Sequence, residues 1–135
     1  MTNRNIVTDT GALTLFFAGD PRVRPYYEGI IGAKTKGHIS SVTLAEYFYK
    51  TCQKLGRETA TTRYHMTRAM LNVIETDSNL SMAVGLEKCM KPVLSLADCY
   101  ALALTKRMSG KLLTTDRELS KVKDADVKYF EVGRI

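Results

Sequence analysis

Short apolar runs alternate with longer helix-like stretches from one end of the chain to the other, and this alternation constrains the fold most. Ile6-Val7-Thr8, His38-Ile39-Ser40, Asn72 to Glu75, Lys111 to Thr115 and Val127 to Val132 read as strands. Thr10 to Ala18 reads as a helix ending at Gly19, and Asp20-Pro21 restarts one, with Asp20 as N-cap and Pro21 at the first helical position, running to about Gly32. Ser41 is placed to cap a helix from Val42 to Leu55. Gly56 breaks it, and a basic helix follows from Arg57 to about Leu71. Ser78 or Asn79 starts the next, where Met82, Ala83, Leu86, Cys89 and Met90 recur at helical spacing. Ser95 caps another, with Ala97, Tyr100, Ala101, Leu104 and Met108 as one stripe and Gly110 as its end. A short helical turn runs through Glu118 and Leu119. Strands alternating with helices argue for an α/β fold with a mostly parallel sheet.

A chain of 135 residues suits one domain, spanning 1–135, with a full hydrophobic core. Its 44% hydrophobic and 25% charged residues are ordinary for a globular protein. No uncharged stretch approaches the roughly 18 residues of a membrane span. The run after Met1 to Asn5 is too brief for a signal peptide, so a cytoplasmic location is expected. Cys52, Cys89 and Cys99 are odd in number, widely spaced and without a Cys-x-x-Cys pair. They read as buried thiols in a reducing compartment. His38 and His65 have no metal-ligand spacing, which argues against structural zinc. The net charge of +6 favours an anionic partner, with nucleic acid leading.

Within this basic chain, Asp9, Glu46, Asp98 and Asp116 stand out. Asp9 closes an apolar run, and Asp116 closes another. Glu46 is the one charge between Lys36 and Lys50, and Asp98 the one charge between Lys91 and Lys106. Lone carboxylates in apolar surroundings are costly unless paired or bound to a cation. Each has a local reading too. Asp9 can cap the helix after it, Asp98 can complete a Ser-x-x-Asp box with Ser95, and Asp116 can serve the helix dipole beside a Thr115–Glu118 box. Glu46, flanked by Val42, Leu44, Ala45, Tyr47, Phe48 and Tyr49, has little polar helix face to explain it. Parallel sheets bind ligands at the carboxyl ends of their strands, where Asp9 and Asp116 belong.

The four acids also lie in four segments that resemble the motifs of PIN-domain nucleases. They are Ile6-Val7-Thr8-Asp9-Thr10-Gly11-Ala12-Leu13, Ser41-Val42-Thr43-Leu44-Ala45-Glu46, Leu94 to Ala103 around Asp98, and Leu112-Leu113-Thr114-Thr115-Asp116-Arg117-Glu118-Leu119. The resemblance runs from residue 6 to about 119, in order. The chain's size is similar to that of VapC toxins of VapBC toxin–antitoxin pairs. The resemblance implies a three-layer sandwich with a parallel sheet in the order 3-2-1-4-5 flanked by helices. It also implies a Mg2+- or Mn2+-dependent endoribonuclease, a homodimer and a VapB-type antitoxin partner. Carboxylate clusters suit these hard cations. Such a cation polarises the scissile phosphate and lowers the pKa of water, and a second would stabilise the leaving oxygen. On this reading Asp9, Asp98 and Asp116 hold metal directly or through water, and Glu46 holds water or orients the nucleophile. Thr10 and Thr114 orient water or carboxylate, or else serve as caps and strand packing.

RNA would reach the acids past Lys50, Lys54, Arg57, Arg63 and Arg68, a stretch opposed by Glu58 alone. Tyr26, Tyr27, Tyr47, Tyr49 and Tyr64 are candidates for base stacking, for the core or for a dimer interface on the second and third helices. Four other readings compete. A receiver-type phosphotransfer module wants paired acids after its first strand, where Asp9 stands alone. A haloacid-dehalogenase-like phosphatase wants Asp-x-Asp where Asp9-Thr10-Gly11 stands. A PIN scaffold that binds RNA or protein without catalysis, or a housekeeping RNA-processing nuclease, would keep the fold and lose the toxin role.

Overall fold

The structure, a computed structural model, describes residues 4–133. Met1, Thr2 and Asn3, part of the lead-in read above for a signal peptide, lie outside them. Five strands form one sheet: β1 Asn5–Thr8, β2 Lys36–Ser40, β3 Asn72–Ile74, β4 Lys111–Thr114 and β5 Asp126–Tyr129. Their order is β3-β2-β1-β4-β5 and every pairing is parallel. The helices are α1 Thr10–Phe17, α2 Arg24–Ile31, α3 Ser41–Leu55, α4 Arg57–Met70, α5 Ser78–Met90, α6 Leu96–Met108 and α7 Arg117–Ser120.

The central strands are short and apolar because both their faces are covered. Side chains alternate across them. Ile6 and Leu113 point into a cluster with Leu13, Tyr27, Leu44 and Tyr47 from α1, α2 and α3. Val7 and Leu112 point into a second cluster with Leu80, Leu102, Leu104 and Leu119 from α5, α6 and α7. The result is helix, sheet, helix. From β1 the chain moves to β2 on one side, and from β4 to β5 on the other. The carboxyl ends of β1 and β4 therefore flank the point where the strand order reverses, which is where open parallel sheets bind ligands.

Several local expectations shift. The helix expected from Asp20-Pro21 starts instead at Arg24, with a proline in its first turn. Asp20 is occupied by Arg22, whose backbone N–H donates to Oδ1 at 2.8 Å and whose guanidinium pairs with Oδ2 at 2.8 Å. Ser40, not Ser41, caps α3 by accepting from the Thr43 amide. Asp77, not Ser78 or Asn79, caps α5. Asp116 caps α7 by accepting from the Leu119 amide, in place of the expected Thr115–Glu118 box. Ser109, with φ of +49°, takes the left-handed position after α6. Gly110 is needed for another reason: a Cβ there would sit 2.8 Å from the Asn5 carbonyl oxygen.

The stripe read on α5 faces outward. Leu80, Val84 and Glu87 are the buried positions, while Met82 is 79% exposed, Leu86 62% and Met90 70%. Glu87 turns inward because Lys91 and Lys106 hold its two oxygens at 2.8 and 2.7 Å. The cysteines divide as well: Cys99 is buried, Cys52 half-buried and Cys89 exposed, so the reading of three buried thiols fails at Cys89. Among the described residues no helix is long and apolar enough to cross a membrane.

Candidate active site

Asp9, Thr10, Glu46, Asp98 and Asp116 line one cleft of about 580 Å3, together with Gly11, Ser95, Thr115, Lys50 and Lys54. The chain brings them there by simple means. Asp9 is the first residue past β1 and Asp116 the second past β4, so the sheet carries both to the same edge. Asp98 stands in the first turn of α6, and Glu46 in the second turn of α3.

Capping and cleft-lining prove compatible. Asp9 Oδ1 accepts from the Ala12 N–H at 2.8 Å, and Asp116 Oδ1 accepts from the Leu119 N–H at 3.0 Å. In the Ser95 turn the roles are reversed, since the Asp98 N–H donates to Ser95 Oγ at 3.1 Å and leaves the Asp98 carboxylate to the cleft. Thr114 joins two of the acids. Its hydroxyl donates to Asp9 Oδ2 and accepts from the Asp116 N–H at 2.9 Å. Thr10 donates its hydroxyl to Glu46 Oε1, and Lys50 Nζ lies 3.7 Å from Glu46 Oε2. Thr10 and Thr114 thus each orient a carboxylate.

The electrostatics follow from this crowding. Asp9 is only 5% exposed. Burial pushes its carboxyl up to about 6, against the amides of Ala12 and Thr115 and the Thr114 hydroxyl, and the charge of Asp116 adds to the rise. Asp98 is pushed up to about 7, first by burial and then by Asp116 and Asp9, with Ser95 pulling the other way. Beneath Asp9, the fully buried Tyr27 hydroxyl meets Thr8 Oγ1 at 2.5 Å, and burial raises its pKa so that it stays protonated. Of the places open to Tyr27 in the sequence, stacking, core or dimer interface, it takes the core, and its bond to Thr8 beside Asp9 is the part that sequence did not indicate.

Among the described residues no three His, Cys, Asp or Glu side chains are already drawn together closely enough to hold a metal ion. The donor chemistry nevertheless fits a hard divalent cation. The acids offer carboxylate oxygens only, and one of them is nearly dry and costly to ionise without a counter-charge.

The basic stretch is divided. Lys50 and Lys54 line the cleft, whereas Arg57 and Arg63 line a separate hollow with Phe17, Gly56 and Met66. Arg63 stacks over Phe17 and Arg68 over Tyr64. Tyr27 and Tyr47 are buried, Tyr26 and Tyr64 partly so, and Tyr49 is 48% exposed. Among the described residues no aromatic side chain lines the cleft.

Comparison with curated protein sequences gives no match. Among solved structures the fold is similar to VapBC2 from Rickettsia felis bound to a DNA fragment from their promoter, with TM-score 0.75, 14% identity, and coverage of 94% of this chain and 99% of that one. It is similar to a toxin–antitoxin complex from Klebsiella pneumoniae, with TM-score 0.73, 18% identity, and coverage of 94% and 99%. It is also similar to Mycobacterium tuberculosis VapC20, a sarcin-ricin loop cleaving toxin, with TM-score 0.65, 18% identity, and coverage of 85% and 92%. At these identities the likeness is one of fold. The sequence itself matches the PIN domain over residues 6–125. That match covers most of the chain and takes in all four cleft acids, and the chain belongs to the PIN domain family.

Proposed function

We propose that the protein is a metal-dependent endoribonuclease and the toxin of a VapBC-type toxin–antitoxin pair. One observation carries the chemistry: four carboxylates from four separated segments line one cleft at the strand-order reversal of a PIN fold. Structural likeness to VapBC toxins and complexes supports the toxin role.

Asp9, Asp98 and Asp116, with Glu46 directly or through water, are the residues to hold Mg2+ or Mn2+. The cation supplies charge to polarise the phosphate and to make water acidic. The chain's own residues do the rest. Thr10 fixes Glu46 so that one carboxylate oxygen is aimed for orienting the attacking water. Thr114 holds the Asp9 carboxylate and, through its bond from the Asp116 backbone N–H, ties it to the start of the Asp116 turn. Hydrolysis forms one P–O bond to that water and breaks the P–O bond to the leaving nucleotide.

Two apolar surfaces suit the two protein partners of this reading. A hollow of about 380 Å3 between α1, α2 and α4 is lined by Phe16, Phe17, Ile30, Ile31, Met66 and Met70, and suits an apolar segment of an antitoxin. The outer face of α5 carries Met82, Gly85, Leu86, Cys89 and Met90 with no charge among them. A neutral apolar stripe on a protein of net charge +6 suits a second copy of the chain. We put the dimer contact on α5; of the second and third helices, Tyr27 and Tyr47 are buried in the core.

Cleavage of single-stranded RNA tests the proposal. Wild type should cut with Mg2+ or Mn2+ and stop with EDTA, while Asp9→Asn and Asp98→Asn should be inactive. Equal cleavage by all three proteins would contradict it.

A further inference from the structure

Glu46, Lys50 and Lys54 recur every fourth residue along α3 and line the same cleft. Residues four apart share a helix face and stand about 6 Å apart along the axis. The face therefore runs from an acid at the candidate metal site to a first cation one turn away and a second cation two turns away. That step is close to the spacing of successive phosphates along a single nucleic-acid strand. The Lys50–Glu46 pair is long at 3.7 Å, with Lys50 half exposed, so a phosphate can replace Glu46 as its partner. Lys54 is exposed and forms no salt bridge among the described residues. The other basic candidates are directed elsewhere: Arg57 and Arg63 line the separate hollow, and Arg68 lies over Tyr64. With no aromatic side chain lining the cleft, stacking contributes little to what the cleft can read.

The geometry points to a directional phosphate ladder: Lys50 and Lys54 bind the two phosphates that follow the scissile one along α3, so the site takes single-stranded RNA extending at least two phosphates to one side of the cut. This rests on the nuclease reading and goes beyond it, naming which part of the substrate is gripped, and by what. Recognition at this wall is of backbone charge, and tolerant of base identity.

The test uses a short single-stranded RNA with one cleavage site, and versions in which one flanking phosphate at a time is an uncharged methylphosphonate. Lys50→Gln and Lys54→Gln should each raise KM several-fold, more than they lower kcat, and reduce the salt slope of binding by about 0.7 per lysine. Each variant should lose its penalty on one particular methylphosphonate RNA, with the two positions adjacent. Dissociation constants from fluorescence polarisation repeat the comparison without needing turnover. Unchanged KM, Kd and salt slope in both variants would overturn the ladder, as would penalties that persist in full on every methylphosphonate RNA. Absence of cleavage by wild type would instead count against the nuclease reading, leaving the Kd comparison to decide the ladder.

Discussion

Asp9 and Asp98 hold protons more tightly in the folded chain than in an unfolded one, because burial and neighbouring carboxylates penalise their charged forms. The consequence for stability has a definite sign. A carboxyl raised to about 6 or 7 favours the fold while it stays neutral, and loses that contribution as pH rises through the raised value. The metal-free protein should therefore melt at a lower temperature at pH 8 than at pH 5 on account of these two groups. Asp98→Asn should reduce that fall. Millimolar Mn2+ should recover the loss at pH 8 in wild type more than in Asp98→Asn, because a cation supplies the missing counter-charge. Thermal melts across this range check all three expectations.

At the scale of elements, the site depends on how closely α1 approaches the turn between β4 and α7. Gly11 makes that approach possible: a Cβ there would come 1.7 Å from Thr115 Oγ1 and 2.9 Å from Thr115 Cβ. Gly11→Ala should cost about 1–3 kcal/mol by overpacking, measured by denaturant unfolding. It should also displace Asp116, the next residue along. This is the kind of requirement that sequence pattern does not reveal, since it depends on a contact between segments about a hundred residues apart. The strands, and the acids at their ends, were legible because β1 and β4 are apolar runs closed by a carboxylate, and Ser95 declared α6 by its spacing to Asp98. The order of the strands was available through family resemblance alone. The start of α2 was misread because Asp20-Pro21 and Pro25 offer competing helix starts, and Arg22 decides between them by taking Asp20. The outward direction of the α5 stripe was not legible, because helical spacing shows which residues share a face without showing whether that face meets core or solvent.

The whole molecule presents an acidic cleft on a basic protein, with apolar surfaces placed apart from it. The assignment of the α5 face to a second copy predicts that Met82→Glu combined with Leu86→Glu converts a dimer to a monomer. Both positions are exposed, so the melting temperature of the monomer should not fall by more than dissociation itself entails. Light scattering at matched concentrations checks this, and a dimer retained in the double variant would remove the assignment. The nuclease proposal requires Asp9, Glu46, Asp98 and Asp116 to act as one divalent-cation site. An anomalous difference map from crystals soaked in Mn2+ addresses it most directly. A peak is expected within ligand distance of at least two of these carboxylates, with its loss in Asp98→Asn. Mn2+ bound elsewhere, or a cleft empty at saturating concentration, would contradict it.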